Sequence, residues 1–233
     1  MTRPTLRPVV TFDLFSALID SRSGGSAALA AAAGRERWPV DGADLYDRWD
    51  AANKAAQKTC LGWRPHAELA REALGTALGE TGVHAGAADL DRHLADLLGS
   101  VPRWPLWDDV TDGLRALAGD YRIGLLSNVD DALFRTTRAA PLVDHEVALT
   151  SERLGVYKPD PRIYRRAAAA LGPVVHVASS ARDVRGALEA GIPVVRLARP
   201  GHPVDPQGPR PPVEVGSVAE LAAVLPGLLP AGG

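Results

Sequence analysis

Cysteine, an excess of positive charge and long apolar runs are all absent or nearly absent from this chain. Cys60 is the only cysteine among 233 residues, which excludes an internal disulfide and a Cys-based metal cluster. The formal net charge of −2 gives a nucleic-acid-binding surface little electrostatic support. No stretch is apolar over a length that would span a bilayer. We therefore expect neither nucleic acid nor a membrane as a partner.

The amino-terminal segment does not have the pattern of a secretory signal peptide. Residues 1–8 carry positive charge, but the apolar run behind them is broken at Asp13. A lone cysteine also fits a reducing compartment. We therefore expect a cytoplasmic protein.

What the chain does contain is a series of β-rich apolar runs that end in polar residues. Hydrophobic residues make up 46% of the chain and charged residues 23%, which is ordinary globular composition. Near-continuous apolar runs separated by helical patterns are typical of a parallel sheet covered on both faces. The pattern predicts an α/β fold with a Rossmann-like doubly wound parallel sheet. The predicted strands cover residues 9–12, 122–126, 146–150, 174–177, 192–197 and, at an edge, 213–215.

A long insertion separates the first two predicted strands. Roughly a hundred residues lie between Asp13 and Ser127, far more than one crossover between parallel strands needs. We expect an inserted helical cap at residues 21–101 over an α/β core of residues 1–20 and 102–233. Its helices are predicted over 25–33, 43–58, 65–78 and 88–98. Core helices are predicted over 106–117, 130–138 and 161–171 and from a Ser217 cap to Leu225, after a surface loop at 200–212.

Polar side chains stand where the predicted strands end, or shortly after. Asp13 follows the first strand, Ser127 and Asn128 follow the second, and Lys158 and Asp183 come later. The carboxyl ends of parallel strands open on the crevice where α/β folds bind ligands. A carboxylate there can attack carbon or phosphorus. Taken alone, Asp13 would favour capping a turn or helix over catalysis, and Lys158 with Asp183 could be a structural ion pair. The joint order of the sites favours catalysis.

The segments around these sites resemble the four motifs of the haloacid dehalogenase superfamily. Segment 12–18, with Phe15 two residues after Asp13, is similar to the first motif in the form used by 2-haloacid dehalogenases. Segments 125–128, 155–164 and 177–187 are similar to the second, third and fourth motifs. The resemblance covers the whole core in the right order and includes the position of a helical cap.

This resemblance implies a hydrolase with an Asp nucleophile, similar to 2-haloacid dehalogenases, that acts on a small carboxylated substrate. Asp13 would displace halide and form an ester, and Lys158 would offset its charge. Asp183 would orient or deprotonate the water that cleaves the ester. The substrate-binding residues that the resemblance implies are Phe15, Ser127, Asn128, Tyr164 and Ser180.

Two positions favour dehalogenation over phosphoryl transfer. Phosphatases of the superfamily carry a second Asp where this chain has Phe15, and metal-using relatives carry an additional Asp where it has Ser179. A halide leaves without a proton, so loss of the acid is tolerated. Asp13 and Asp183 alone would make a poor Mg²⁺ site. We therefore expect no metal and no cofactor, with a Mg²⁺-dependent phosphatase as the alternative.

Three positions depart from the dehalogenase pattern. Ala17 stands where catalytic members have Thr, Ala178 where dehalogenases have Ser, and Asp50 where they place an Arg that grips the halide. Each lost hydroxyl removes a hydrogen bond typically worth on the order of 1 kcal/mol. We therefore expect the activity to be weakened or redirected. A non-catalytic binding protein of this fold is a further alternative. Relatives of this type often form dimers, so the resemblance also allows a homodimer.

The histidines have plainer interpretations than the motif residues. His176 lies inside an apolar strand and is expected to be a core histidine with its hydrogen bonds satisfied. His66, His84 and His93 lack metal-ligand spacing and are expected at the surface.

Aromatic and arginine side chains near the motifs also have structural interpretations. The aromatics of the insertion are expected mostly in its small core, and they are Trp38, Tyr46, Trp49 and Trp63. Arg182 and Arg185 flank Asp183 and are expected to be surface charges, although Arg182 could reach an anionic substrate.

Overall fold

Residues 7–229 are described by the computed structural model of the chain, so most of the segment judged not to be a signal peptide lies outside the described residues. Six strands are present: β1 (Val9–Phe12), β2 (Arg122–Ser127), β3 (Ala148–Thr150), β4 (Val174–Ala178), β5 (Val194–Leu197) and β6 (Val213–Val215). They form one sheet in the order β3-β2-β1-β4-β5-β6, and every neighbouring pair is parallel. The predicted α/β fold is confirmed.

Strand β1 lies in the middle of the sheet, and all four of its residues are buried. Its register places Val9 beside Arg122 on one side and Val174 on the other. β-Branched and aromatic side chains suit a strand that is covered on both faces. The strand order reverses at β1, and ligands bind beyond the carboxyl ends of the strands at such a switch point. Asp13 follows β1 directly.

After Asp13 the chain forms a π-helical turn, Leu14–Leu18, and then four helices within residues 21–100. These match the four predicted helices with shifts of a few residues at their ends. Their bounds are α1 (Ser21–Glu36), α2 (Gly42–Thr59), α3 (His66–Glu80) and α4 (Ala87–Ser100). The division into a core (1–20 and 102–233) and a cap (21–101) stays a prediction.

A glycine in α1 allows the aromatic side chains of α2 to pack closely. A Cβ at Gly25 would lie only 2.2 Å from the Tyr46 ring. Tyr46 and Trp49 are each 4% exposed, as expected for the core of this region, while Trp38 and Trp63 are partly buried.

The remaining helices surround the sheet. They are α5 (Val110–Leu117), α6 (Asp131–Thr136), α7 (Ser151–Leu154), α8 (Pro161–Leu171), α9 (Ala181–Glu189) and α10 (Leu221–Val224). The helix predicted from residue 106 begins later, because Leu106 bridges to Ile19 and the Trp107 amide donates to the Leu18 carbonyl. The Ser217 side chain does not cap a helix and instead donates to Glu220.

Two histidines expected at the surface are buried. His66 is 4% exposed and His93 is 2% exposed, so both predictions were wrong, whereas His84 is exposed. Helices α3 and α4, which carry His66 and His93, pack against neighbouring helices, and both histidines face inward. Burial lowers the pKa of His66 to about 4, because the charged imidazolium is disfavoured away from water. Among the helices within residues 7–229, none is long and apolar enough to cross a membrane.

Candidate active site

Asp13 lies at the carboxyl end of β1 with its side chain at the floor of a cavity. Its Oδ1 atom accepts hydrogen bonds from Lys158 Nζ at 2.7 Å and Ser127 Oγ at 3.0 Å. Its Oδ2 atom accepts from Ser16 Oγ at 2.6 Å and from the Ser16 amide at 3.2 Å. The carboxylate therefore caps the turn that follows it and also meets a buried ammonium group. Capping alone does not account for its surroundings.

Lys158 joins Asp13 to Asp183. Its Nζ atom donates to Asp13, to the Leu126 carbonyl at 2.8 Å and to Asp183 Oδ2, and the residue is only 3% exposed. Burial by itself would lower the pKa of this amine, but the two carboxylates outweigh burial and raise it. The ammonium form is therefore the stable one at the floor of the cavity.

The same ion pair keeps both carboxylates charged. Burial by itself would raise the pKa of Asp13, yet the positive charge of Lys158 outweighs burial, and the pKa lies below its ordinary value. The pKa of Asp183 is also lowered, since Lys158 and His176 together outweigh the effect of burial. Asp13 is thus an anion with a free path to the cavity, because its side chain is 12% exposed.

Three side chains of the core, Lys158, Tyr164 and His176, contact the Asp183 carboxylate. Tyr164 OH donates to its Oδ1 atom at 2.7 Å, and His176 Nε2 lies 3.1 Å from its Oδ2 atom. Behind His176, the Nδ1 atom is 3.0 Å from Thr11 Oγ1, so this histidine is buried and satisfied as predicted. A Cβ at Gly186 would lie 2.6 Å from the Tyr164 hydroxyl, so the glycine leaves the space that this contact needs.

Asn128 fixes the loop that carries Lys158. Its Oδ1 atom accepts from the Lys158 amide at 2.7 Å, and its Nδ2 atom donates to the Lys158 carbonyl at 3.0 Å. The same Nδ2 atom donates to Gln57 Oε1 at 2.9 Å, which links the strand end to helix α2. Asn128 is only 8% exposed, and it holds protein groups on both sides.

The turn after Asp13 is braced by distant residues. Trp107 Nε1 donates to the Ser16 carbonyl at 3.1 Å, and Arg199 donates to the Ala17 carbonyl at 3.0 and 3.2 Å. Arg199 also pairs with Asp109 at 2.8 Å and lies over the Trp107 ring, 5.3 Å from its centroid. Buried carbonyls of the turn thus receive partners from outside it.

A cavity of about 410 Å³ lies above these groups. Its wall combines side chains from helices α1, α2 and α9, the Asp13 turn and the loop after β5. Seven of the eight residues that the resemblance implies for the site line the cavity, and the exception is Tyr164. Tyr164 is fully buried behind Asp183. Phe15 lies on the wall with its ring edge toward Trp104, at 5.8 Å between centroids.

Comparison with known proteins agrees with these features. A family model for haloacid dehalogenase-like hydrolases matches residues 8–191, which is more than half of the chain. The chain belongs to the haloacid dehalogenase-like hydrolases. This membership makes it a hydrolase of that family rather than a non-catalytic binding protein.

Several named relatives of this hydrolase are 2-haloacid dehalogenases. It is 32% identical over 126 residues to (S)-2-haloacid dehalogenase 4A of Burkholderia cepacia, in an alignment that covers 51% of this chain and 54% of that protein. It is 30% identical over 229 residues to the (S)-2-haloacid dehalogenase of Pseudomonas sp. strain YL, with 93% of each chain covered. A phosphoserine phosphatase of Thermus thermophilus is 33% identical over 154 residues, which is 62% of this chain and 60% of that protein. The alignments thus cover little more than half of the Burkholderia dehalogenase and of the Thermus phosphatase.

The hydrolase is also similar in structure to a solved dehalogenase. The crystal structure of a defluorinating L-2-haloacid dehalogenase superimposes with a TM-score of 0.78 at 27% identity. The match covers 94% of this chain and 95% of that one.

The three departures from the dehalogenase pattern have different outcomes in this hydrolase. At Ala17 the side chain has no hydroxyl, but the preceding residue, Ser16, donates a hydrogen bond from its Oγ atom to the Asp13 carboxylate. Ala178 has no such neighbour, since the hydroxyl of the following Ser179 is buried and has no hydrogen-bond partner within residues 7–229. Asp50 lines the cavity but is paired with Lys54, one helical turn later.

The residues at the floor of this cavity do not fit a magnesium ion. Lys158 Nζ already bonds both the Asp13 and the Asp183 carboxylates and offsets their charge. Within residues 7–229, no three His, Cys, Asp or Glu side chains are grouped so that they could hold a metal ion. The donor set is thus too poor in free carboxylates for a hard divalent ion.

Ser16, Gln57 and Arg199 were missed by reasoning from the sequence. Ser16 stands beside the expected nucleophile, and its small hydroxyl side chain in the turn was the one available signal. Gln57 and Arg199 lie far along the chain from their partners, Asn128 and Ala17, so local pattern gave no indication of them.

Proposed function

We propose that this hydrolase removes halogen from a small carboxylated substrate through an ester on Asp13, without a metal. The observation that carries the proposal is the buried 2.7 Å contact between Lys158 Nζ and Asp13 Oδ1 at the floor of the cavity. An ammonium at that distance keeps the nucleophile charged. The 2-haloacid dehalogenases among the relatives support the same reaction.

In the first step, a carboxylate oxygen of Asp13 forms a bond to the carbon that bears the halogen. The carbon–halogen bond breaks, and the halide leaves with both bonding electrons. Phe15 replaces the acid that an alkoxide leaving group would need, and a halide needs none. Ser127, which donates to Asp13 Oδ1 at 3.0 Å, holds the carboxylate in place for this attack.

In the second step, water attacks the ester carbonyl carbon of Asp13. The carboxylate is restored, the substrate leaves as a hydroxy acid, and one proton is released. Both oxygens of Asp183 already accept bonds from Lys158, Tyr164 and His176, which supports an orienting role for Asp183 more than that of a base. Asn128 and Ser180 face the cavity and contact the bound substrate, and helices α1–α4 act as its cap.

Halide release from 2-chloropropanoate tests this proposal. Wild-type protein is expected to release chloride, and Asp13→Asn to release none. Asp112→Asn is the matched control, because Asp112 is an exposed carboxylate whose ion partner, Arg115, is 3.8 Å away. A single turnover in ¹⁸O-labelled water should place the label on Asp13. No chloride from the wild type would refute dehalogenation.

A phosphatase is the second candidate, because the Thermus phosphoserine phosphatase is among the relatives. It predicts Mg²⁺-dependent release of phosphate from a phosphate ester. The features against it are Phe15 and Ser179, which stand where metal-using relatives carry Asp. Phosphate release from phosphoserine by the wild type, lost in Asp13→Asn and without any halide release, would favour the phosphatase.

A further inference from the structure

Arg182 differs from the other arginine and lysine side chains on the cavity wall. Arg22 pairs with Asp47 at 2.7 Å, Lys54 pairs with Asp50, and Lys158 pairs with Asp13 and Asp183. Across residues 7–229, no carboxylate lies within 4.0 Å of Arg182, although the side chain is partly buried and lines the cavity. Its charge is thus unneutralised in a partly desolvated place.

The guanidinium of Arg182 lies between helix α9 and helix α2. Its Nη1 atom donates to the Lys54 carbonyl at 3.0 Å, and its Nη2 atom is 3.5 Å from Gln57 Oε1. That Gln57 oxygen accepts from Asn128 at 2.9 Å, which places Arg182 one side chain away from the cavity floor. Arg182 and Asp183 both line the cavity.

We propose that Arg182 is a binding subsite for the carboxylate of the substrate. This inference rests on the proposed function and deepens it, because it assigns the group that recognises the anion. A guanidinium has five N–H donors in a planar fork, and here only two atoms have protein partners. The remaining donors match the two oxygens of a carboxylate.

Charge in the cavity gives the reason for such a subsite. Asp13, Asp20, Asp47, Asp50 and Asp183 all line it, so an anionic substrate meets five carboxylates on entering. Lys54 is paired with Asp50, which stands where dehalogenases would place their cap arginine. Among the arginine and lysine side chains of the wall, Arg182 is the one without a carboxylate partner within residues 7–229, so its charge can attract an anion. It reaches the cavity from helix α9 of the core rather than from helix α2.

A structural role for Arg182 has a different signature. The bond to the Lys54 carbonyl also braces helix α2, and a glutamine at this position can still donate to that carbonyl. Arg182→Gln thus removes the charge while it retains a donor, and Arg182→Lys retains the charge. Arg185→Gln is the control, because Arg185 is exposed on the same helix and pairs with Glu189 at 2.7 Å.

Calorimetric titration with propanoate and with propanamide separates these roles. Arg182→Gln is expected to weaken propanoate binding by about 10-fold or more and to leave propanamide binding unchanged, since a hydrogen bond to a charged group contributes about 1.5–3 kcal/mol. Arg182→Lys should recover most of the loss, and Arg185→Gln should match the wild type. With 2-chloropropanoate, KM should rise more than kcat falls in Arg182→Gln.

The outcomes distinguish this inference from the proposed function. Chloride release by the wild type together with unchanged propanoate affinity and KM in Arg182→Gln would overturn the subsite and leave dehalogenation standing. Charge-dependent propanoate binding without chloride release would support the subsite and reject the reaction. Equal losses for propanoate and propanamide would assign Arg182 to bracing α2 and overturn the subsite.

Discussion

Lys158 and Asp13 are 145 positions apart in the chain and form a buried ion pair of 2.7 Å. Asp183 shares the same ammonium group. Lys158→Met should leave two carboxylates buried without compensation, so we expect the free energy of unfolding to fall by about 3–5 kcal/mol. Urea unfolding at pH 7 measures this change. Adding Asp183→Asn to Lys158→Met should restore part of it, and an unchanged single variant would contradict a buried ion pair.

Ser16→Ala should reduce turnover while it leaves the fold intact. The variant loses the 2.6 Å bond from Ser16 Oγ to Asp13 Oδ2 but keeps the bond from the Ser16 amide. We expect kcat for halide release to fall about 10-fold, as for one hydrogen bond to a charged group. Ser26→Ala is the control, because the Ser26 hydroxyl has no partner among the described residues. An undiminished kcat would show that Ser16 does not compensate for Ala17.

Arg199→Gln should affect both stability and turnover. The variant removes the charge beside Asp109, whose other oxygen keeps the bond from the Val218 amide, and weakens the bonding of the Ala17 carbonyl, so the free energy of unfolding should fall by about 1–3 kcal/mol. The turn that presents Asp13 would loosen, so kcat should fall more than KM rises. Arg210→Gln, at an exposed position, should behave as wild type. A destabilised but fully active Arg199→Gln would limit Arg199 to a structural role.

Stability should fall as the pH drops from about 6.5 to about 4, partly because of His66. The folded protein keeps His66 neutral down to a pKa of about 4, whereas the unfolded chain takes up the proton near its ordinary value of 6.5. Protonation thus favours the unfolded state over this range, by at most about 3 kcal/mol. Burial shifts the pKa of His93 in the same direction.

The contribution of His66 can be isolated by comparing variants. Urea unfolding at pH 7 and at pH 5 should show a smaller loss of stability for His66→Gln than for the wild type. His84→Gln should lose as much as the wild type, because His84 is exposed. Identical losses in all three proteins would contradict a neutral, buried His66.

The sheet and the floor of the site could be predicted because both depend on local pattern. Each buried parallel strand is an apolar run, and Asp13, Ser127 and Lys158 follow from the order of their motifs. Parallel strands end at one edge of a sheet, so residues far apart in the chain were expected to meet there. The cytoplasmic location, the homodimer and the roles of the site residues stay predictions.

The surroundings of the site could not be predicted in the same way. Arg199 reaches the Ala17 carbonyl across 182 positions, and His66 is buried only because helix α3 lies against the rest of the protein. Contacts of this kind depend on how whole elements pack, and no local periodicity encodes them. The hydroxyl of Ser16 likewise reaches the Asp13 carboxylate only through the π-helical geometry of the turn.

Gly186 limits how this protein can be engineered. Replacing a glycine inside a helix by alanine ordinarily raises the free energy of unfolding by up to about 1 kcal/mol, and by helix propensity alone Gly186 is a candidate for such a substitution. Here the added methyl group would displace the Tyr164 hydroxyl from Asp183. Because Tyr164 is fully buried, this clash should cost more than the helix propensity gains, so a screen for heat resistance should not recover alanine at position 186.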